Sequence, residues 1–90
     1  MKQLLEAAIA KWGIDAQLEM TQEEATELAL ACRKWKRNPC ERTFDELANE
    51  IADVEIMITQ LEIMYPQIRE NIERKKEFKL HRLQERIEKK

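Results

Sequence analysis

An all-α fold follows from three features of this 90-residue chain. Apolar residues recur at steps of three and four along nearly its whole length, the period of a helix with one buried stripe. Nothing alternates with the period of two that a half-buried strand requires. The residues that punctuate helices are few, one glycine and two prolines, and they divide the pattern into four segments. Four helices in a single domain spanning residues 1–90 are therefore expected.

Leu4, Leu5, Ala8, Ile9 and Trp12 form the first pattern, which stops at Gly13, a natural helix terminator. The second runs from about Ala16 to Lys36, with a weak point near Thr21, and ends before Asn38-Pro39 because the residue preceding proline is pushed out of the helical region. Thr43 followed by Glu46 reads as a capping box, so the third helix is expected to start at about Phe44. Along it Leu47, Ile51, Val54, Ile56, Ile58, Leu61 and Ile63 spread around most of the circumference, more surface than one partner helix covers. Pro66 suits the first turn of a fourth helix running to about Glu88. Its heavily charged end, from Arg74 onward, is expected to fray or to dock only in an oligomer.

A chain of this size buries only about 60% of its unfolded surface as a monomer, which together with the third helix favours self-association through that long central helix. Charged residues make up 38% of the sequence but nearly balance, at a net charge of -2. No global basic field exists for nucleic acid, and no reader motif accompanies the basic tail. No apolar run reaches membrane length and no signal-peptide pattern opens the chain, so a cytoplasmic protein is expected. Cys32 and Cys40 match neither a redox nor a zinc motif; Cys32 falls near an apolar arc and reads as core packing, and Cys40 as an incidental loop residue. Trp12 and Trp35 also lie on apolar faces, with base stacking as the alternative to core packing. His81 is the only histidine, without a second imidazole to make a ligand set.

The chemistry-bearing residues are two acid pairs, Glu24 with Glu27 and Glu50 with Asp53, each spaced to project from one side of a helix. Met20, Leu28, Ala31 and Trp35 surround the first pair, and the line through Glu46, Glu50 and Asp53 continues into Met57, Leu61 and Met64. Both pairs thus point inward, where desolvation and mutual repulsion oppose four negative charges unless a cation joins them. Two readings fit at this level: a divalent-metal site, or helix charges and partly exposed ion pairs. Glu70, Glu73, Glu85 and Glu88 repeat the spacing away from the stripe or at its edge and read as solvated; Glu46 is accounted for by capping. Without any Glu-x-x-His motif, the acids favour a hard ion, magnesium first and manganese second, over di-iron. Basic residues cluster at Arg33, Lys34, Lys36 and Arg37, and again at Lys75, Lys79, Arg82 and Arg86. Each cluster is either a phosphate-contacting patch or an ordinary solvated face.

Glu24-Ala-Thr-Glu27, twenty-two intervening residues and Glu50-Ile-Ala-Asp53 resemble the ExxE…ExxD signature of the MazG-like family of all-α nucleoside triphosphate pyrophosphohydrolases. The stretches AKWGIDAQLEMTQEEATEL, ELANEIADVEIMITQL and EFKLHRLQERI are similar to the family's two acidic helices and to the last helix of its small members, so the likeness covers nearly the whole chain. The resemblance implies that Glu24, Glu27, Glu50 and Asp53 hold magnesium and serve as the catalytic residues for water attack on the α-phosphorus of a (d)NTP. The products would be (d)NMP and pyrophosphate. It further implies phosphate contacts from Lys34, Lys36, Lys79 and Arg82, a supporting role for Glu23, and a homodimer or homotetramer. Proline in the loop from Asn38 to Thr43, where the family often has glycine, is a departure. The alternative is a non-catalytic helical homo-oligomeric interaction module, distinguished by its indifference to magnesium.

Overall fold

A computed structural model describes residues 1–89. They form four helices, α1 (Lys2–Trp12), α2 (Ile14–Arg37), α3 (Glu41–Met64) and α4 (Ile68–Glu88), with no strand among the described residues. Gly13 separates α1 from α2 without a loop: its φ of 89° is open to glycine and strained for other residues, and its N–H donates to Ile9 O at 2.8 Å. A Cβ there would meet nothing within 4 Å, so the demand on glycine is torsional rather than steric. From Ile14, two residues earlier than expected, α2 continues unbroken through Thr21, whose hydroxyl donates to Gln17 O at 2.8 Å.

The start of α3 corrects the sequence reading. Cys40, not Thr43, is the N-cap, and the helix begins at Glu41. Thr43 instead occupies the third helical position, 1% exposed, where its hydroxyl accepts from the Cys40 N–H at 3.1 Å and donates to Asn38 O at 2.8 Å. The box is formed one turn early, with a thiol where a hydroxyl usually sits. Glu46 is thereby released from capping and accepts from Arg42 at 3.1 Å. After α3, Pro66 and Gln67 lie in a turn closed by Ile68 N–H to Tyr65 O at 2.9 Å, so α4 begins two residues later than the proline suggested.

α2 and α3 pack as an antiparallel hairpin, the principal contact of the molecule. At one end Trp35 meets Phe44 edge to face with ring centroids 5.4 Å apart, and at the other Gln60 Nε2 donates to Gln17 Oε1 at 3.2 Å. The interior is thin. Ala31 and Met57 are its buried apolar side chains, joined by buried Gln17, Thr43 and Gln60. α1 leans on α3 and α2, while α4 touches only α3 and is exposed at every described position beyond Ile72. Trp12 and Cys32, expected in the interior, are both exposed; the Lys11 ammonium stands 5.2 Å from the centroid of the Trp12 ring. The radius of gyration is 16.4 Å, against about 12 Å for a compact domain of this length.

Candidate metal centre

Antiparallel pairing carries the two acidic motifs to the same level. On α2, Glu24 lies seven residues beyond Gln17; on α3, Asp53 lies seven residues before Gln60. The bonded amides therefore fix a register in which, two turns away, acid faces acid. Carboxylate oxygens of Glu24, Glu50 and Asp53 all come within 4.8 Å of one another, and all three residues are half-buried.

Their electrostatics are those of an uncompensated cluster. The Glu24 carboxyl is held above its ordinary value, first by loss of solvent, then by a shared hydrogen bond and repulsion with Asp53, then by Glu50 and Glu27. Glu50 is raised as well, again first by loss of solvent, then by the charges of Asp53 and Glu27, with the Asn49 amide opposing the shift. The repulsion that raises these carboxyls is relieved by a bound cation as well as by a proton. Three carboxylates on two rigid helices offer hard oxygen donors and no nitrogen or sulfur, a set suited to magnesium or manganese. The donor set is chemically compatible with such an ion.

Glu27 is exposed and lies outside the trio, although its charge reaches both Glu24 and Glu50. It lines an adjoining groove of about 260 Å³ together with Lys34, Glu46, Glu50, Asp45 and Asn49. Of the four basic residues singled out from sequence, Lys34 alone lines this groove. Lys36 is grouped with Arg33 and Arg37 in a separate hollow. Lys79 and Arg82 stand on the exposed arm of α4, where the Arg82 guanidinium lies 5.7 Å from the centroid of the Phe78 ring.

Sequence reasoning missed Asp45 and Asn49, which line the groove with Glu50, Asn49 next to it in the chain and Asp45 five residues before it, and it missed the buried Gln17–Gln60 pair. The equal seven-residue offsets of those glutamines from Glu24 and Asp53 were the available signal. No family model matches this chain, and neither the curated proteins nor the solved structures include a significant match to it.

Proposed function

We propose that this chain is a magnesium-dependent nucleoside triphosphate pyrophosphohydrolase of the MazG-like kind. The observation that carries the reading is the convergence of Glu24, Glu50 and Asp53 within 4.8 Å beside a groove reached by Lys34. Glu24, Glu50 and Asp53 hold the ion, with Glu27 joining by a side-chain rotation from one turn along α2. When bound, the ion neutralises triphosphate charge and renders a nearby water more acidic. Lys34 supplies a point charge for a phosphate oxygen that the carboxylates would otherwise repel. The groove orients the triphosphate so that water stands in line with the bond between the α-phosphorus and the bridging oxygen. Breaking that bond releases a monophosphate and intact pyrophosphate, and the proton lost by the water passes to a carboxylate of the cluster. Lys36, Lys79 and Arg82 take part only through a second copy or a movement of the arm, in keeping with a homodimer or homotetramer built on α3.

Pyrophosphate release from each common (d)NTP, with magnesium and with EDTA, tests the reading. Turnover should require the metal, and Asp53→Ala should abolish it while far-UV circular dichroism stays helical. Wild-type turnover in Asp53→Ala, or none from the wild-type chain with any nucleotide, would exclude it. The absence of both turnover and magnesium-dependent stabilisation would instead favour the non-catalytic module.

A further inference from the structure

Beside the acidic groove stands a cation that belongs to neither basic cluster of the sequence. Arg42, Glu46, Glu50 and Asp53 are spaced by four, four and three residues, so they fall within an arc of about 80° on α3. Glu46 and Glu50 line the groove, and Arg42 Nη1 lies 3.1 Å from Glu46 Oε1. The guanidinium is thereby held at the rim, one hydrogen bond from the wall. Lys34 lines the facing wall on α2. In the register set by Gln17 and Gln60, Lys34 lies ten residues beyond Glu24 and Arg42 eleven residues before Asp53, which puts the two cations at nearly the same level. Asp45 and Glu46 line the groove at that end too. Lys34 alone leaves the end negative; with Arg42 the charges balance, and the end no longer repels a phosphate.

We infer that Arg42 and Lys34 together clamp the two terminal phosphates of the substrate, while its α-phosphorus stays at the Glu24, Glu50 and Asp53 end. The inference rests on the hydrolase reading above and deepens it, fixing the direction in which the triphosphate lies and the substrate class, triphosphates over diphosphates. Glu46 holds Arg42 without consuming it. A guanidinium carries several N–H donors in a planar fork, and the bond to Glu46 uses one of them on a side chain that is 66% exposed. The free edge suits two oxygens of one phosphate, which arginine grips bidentately.

Length decides which phosphates the clamp takes. Arg42 precedes Glu50 by eight residues, about 12 Å along the axis, and the two side chains cover only part of that span. A single phosphate held at the acids does not reach the cations; a chain of linked phosphates does. The same placement serves the reaction. Water oxygen bonds to the α-phosphorus as the bond from that phosphorus to the bridging oxygen breaks, the electron pair stays with pyrophosphate, and the proton of the water goes to a carboxylate. The charge that develops on the leaving pyrophosphate then falls between two fixed cations, which stabilise it. A nucleoside diphosphate has one phosphate fewer beyond the α-phosphorus, so it makes less use of the clamp.

Calorimetric titration of the full chain with inorganic pyrophosphate, in excess magnesium, tests the clamp without requiring turnover. The wild type should bind it, and Arg42→Gln and Lys34→Gln should each weaken binding by about ten- to a hundredfold, the worth of a charge-assisted hydrogen bond. Arg33→Gln removes the same charge from a separate hollow and should leave the affinity near that of the wild type. Glu46→Gln breaks the same ion pair as Arg42→Gln, yet it should tighten pyrophosphate, because it frees the guanidinium and takes a carboxylate out of the groove. Opposite signs separate a phosphate contact from a merely structural pair. Wild-type affinity in Arg42→Gln, equal losses in Arg33→Gln and Arg42→Gln, a loss in Glu46→Gln, or no pyrophosphate binding by the wild-type chain would each overturn the clamp. Turnover of a (d)NTP with kcat/KM unchanged in Arg42→Gln would also overturn it and leave the hydrolase reading standing. Loss of pyrophosphate in Arg42→Gln, with no (d)NTP turned over by the wild type, would uphold the clamp and exclude the hydrolase.

Discussion

Replacing Gln17 by leucine removes the hydrogen-bond partner of Gln60, a side chain only 3% exposed. Gln60 Nε2 loses its acceptor, and Gln60 Oε1 has no partner to begin with. A buried amide left unpaired costs about 1–3 kcal/mol, and leucine fills most of the vacated volume, so a cavity adds little. A domain of this length holds a total of roughly 4–13 kcal/mol, which makes the loss a large fraction. At about 4–8 °C per kcal/mol, Tm should fall by between about 4 and 24 °C. The double variant Gln17→Leu/Gln60→Leu should recover the loss, because both polar groups are then gone and apolar area is buried instead. Urea titrations of the four chains, at one protein concentration, give the coupling directly. It should be about 1–3 kcal/mol in the sense that the pair is better than the sum of the singles. An additive cycle, with coupling under about 0.5 kcal/mol, would show that the amides are not joined in the interior. The register of Glu24 against Asp53 would then need another source.

Magnesium at a hundredfold its Kd should stabilise the chain by about 2.7 kcal/mol, and Asp53→Ala should respond to no concentration of it; equal shifts in both chains would refute the site. In EDTA the pH dependence should run downward. Glu24 and Glu50 hold protons more tightly folded than unfolded, so stability falls as pH rises from the ordinary value near 4.5 through their raised values, and acidification into that window recovers it. Magnesium affinity should weaken as pH falls through that window, since the ion takes the ionised carboxylates; thermal melts and calorimetric titration check the two opposite slopes, and stability that rises with pH in EDTA contradicts the cluster. Thr43→Val should cost about 1–3 kcal/mol, because the Cys40 N–H and Asn38 carbonyl both lose their partner. Cys40→Ser should cost almost nothing, since serine is a good N-cap; the reverse order in urea would return the cap to Thr43.

Four helices were legible because periodicity, one glycine and two prolines are local signals, and Gly13 and Pro66 punctuate the chain where the sequence placed the breaks. The inward facing of Glu24, Glu50 and Asp53 was legible too, since a helical spacing fixes which residues share a side. What failed was less local. Thr43 and Glu46 fit a capping box, yet Cys40 preceded them by one turn, and a thiol in that role has no strong sequence signature. Burial was overestimated at Trp12 and Cys32 because an apolar arc says only which way a residue points, not whether another element arrives to cover it. The same limit applies to Glu27, which shares a helix side with Glu24 but is exposed and lies outside the trio. Lys79 and Arg82 sit on an arm whose position relative to the acids no spacing rule encodes.

Hydrolysis of a nucleoside triphosphate in oxygen-18 water, with magnesium present and the products separated, tests the central claim most directly. Water placed on the α-phosphorus by the groove between α2 and α3 expels both terminal phosphates together. The label should therefore appear in the nucleoside monophosphate, with unlabelled pyrophosphate as the co-product and no early orthophosphate, and EDTA or Asp53→Ala should stop it. Label in pyrophosphate or orthophosphate, or a diphosphate as the first product, would place the attack on another phosphorus and contradict the account.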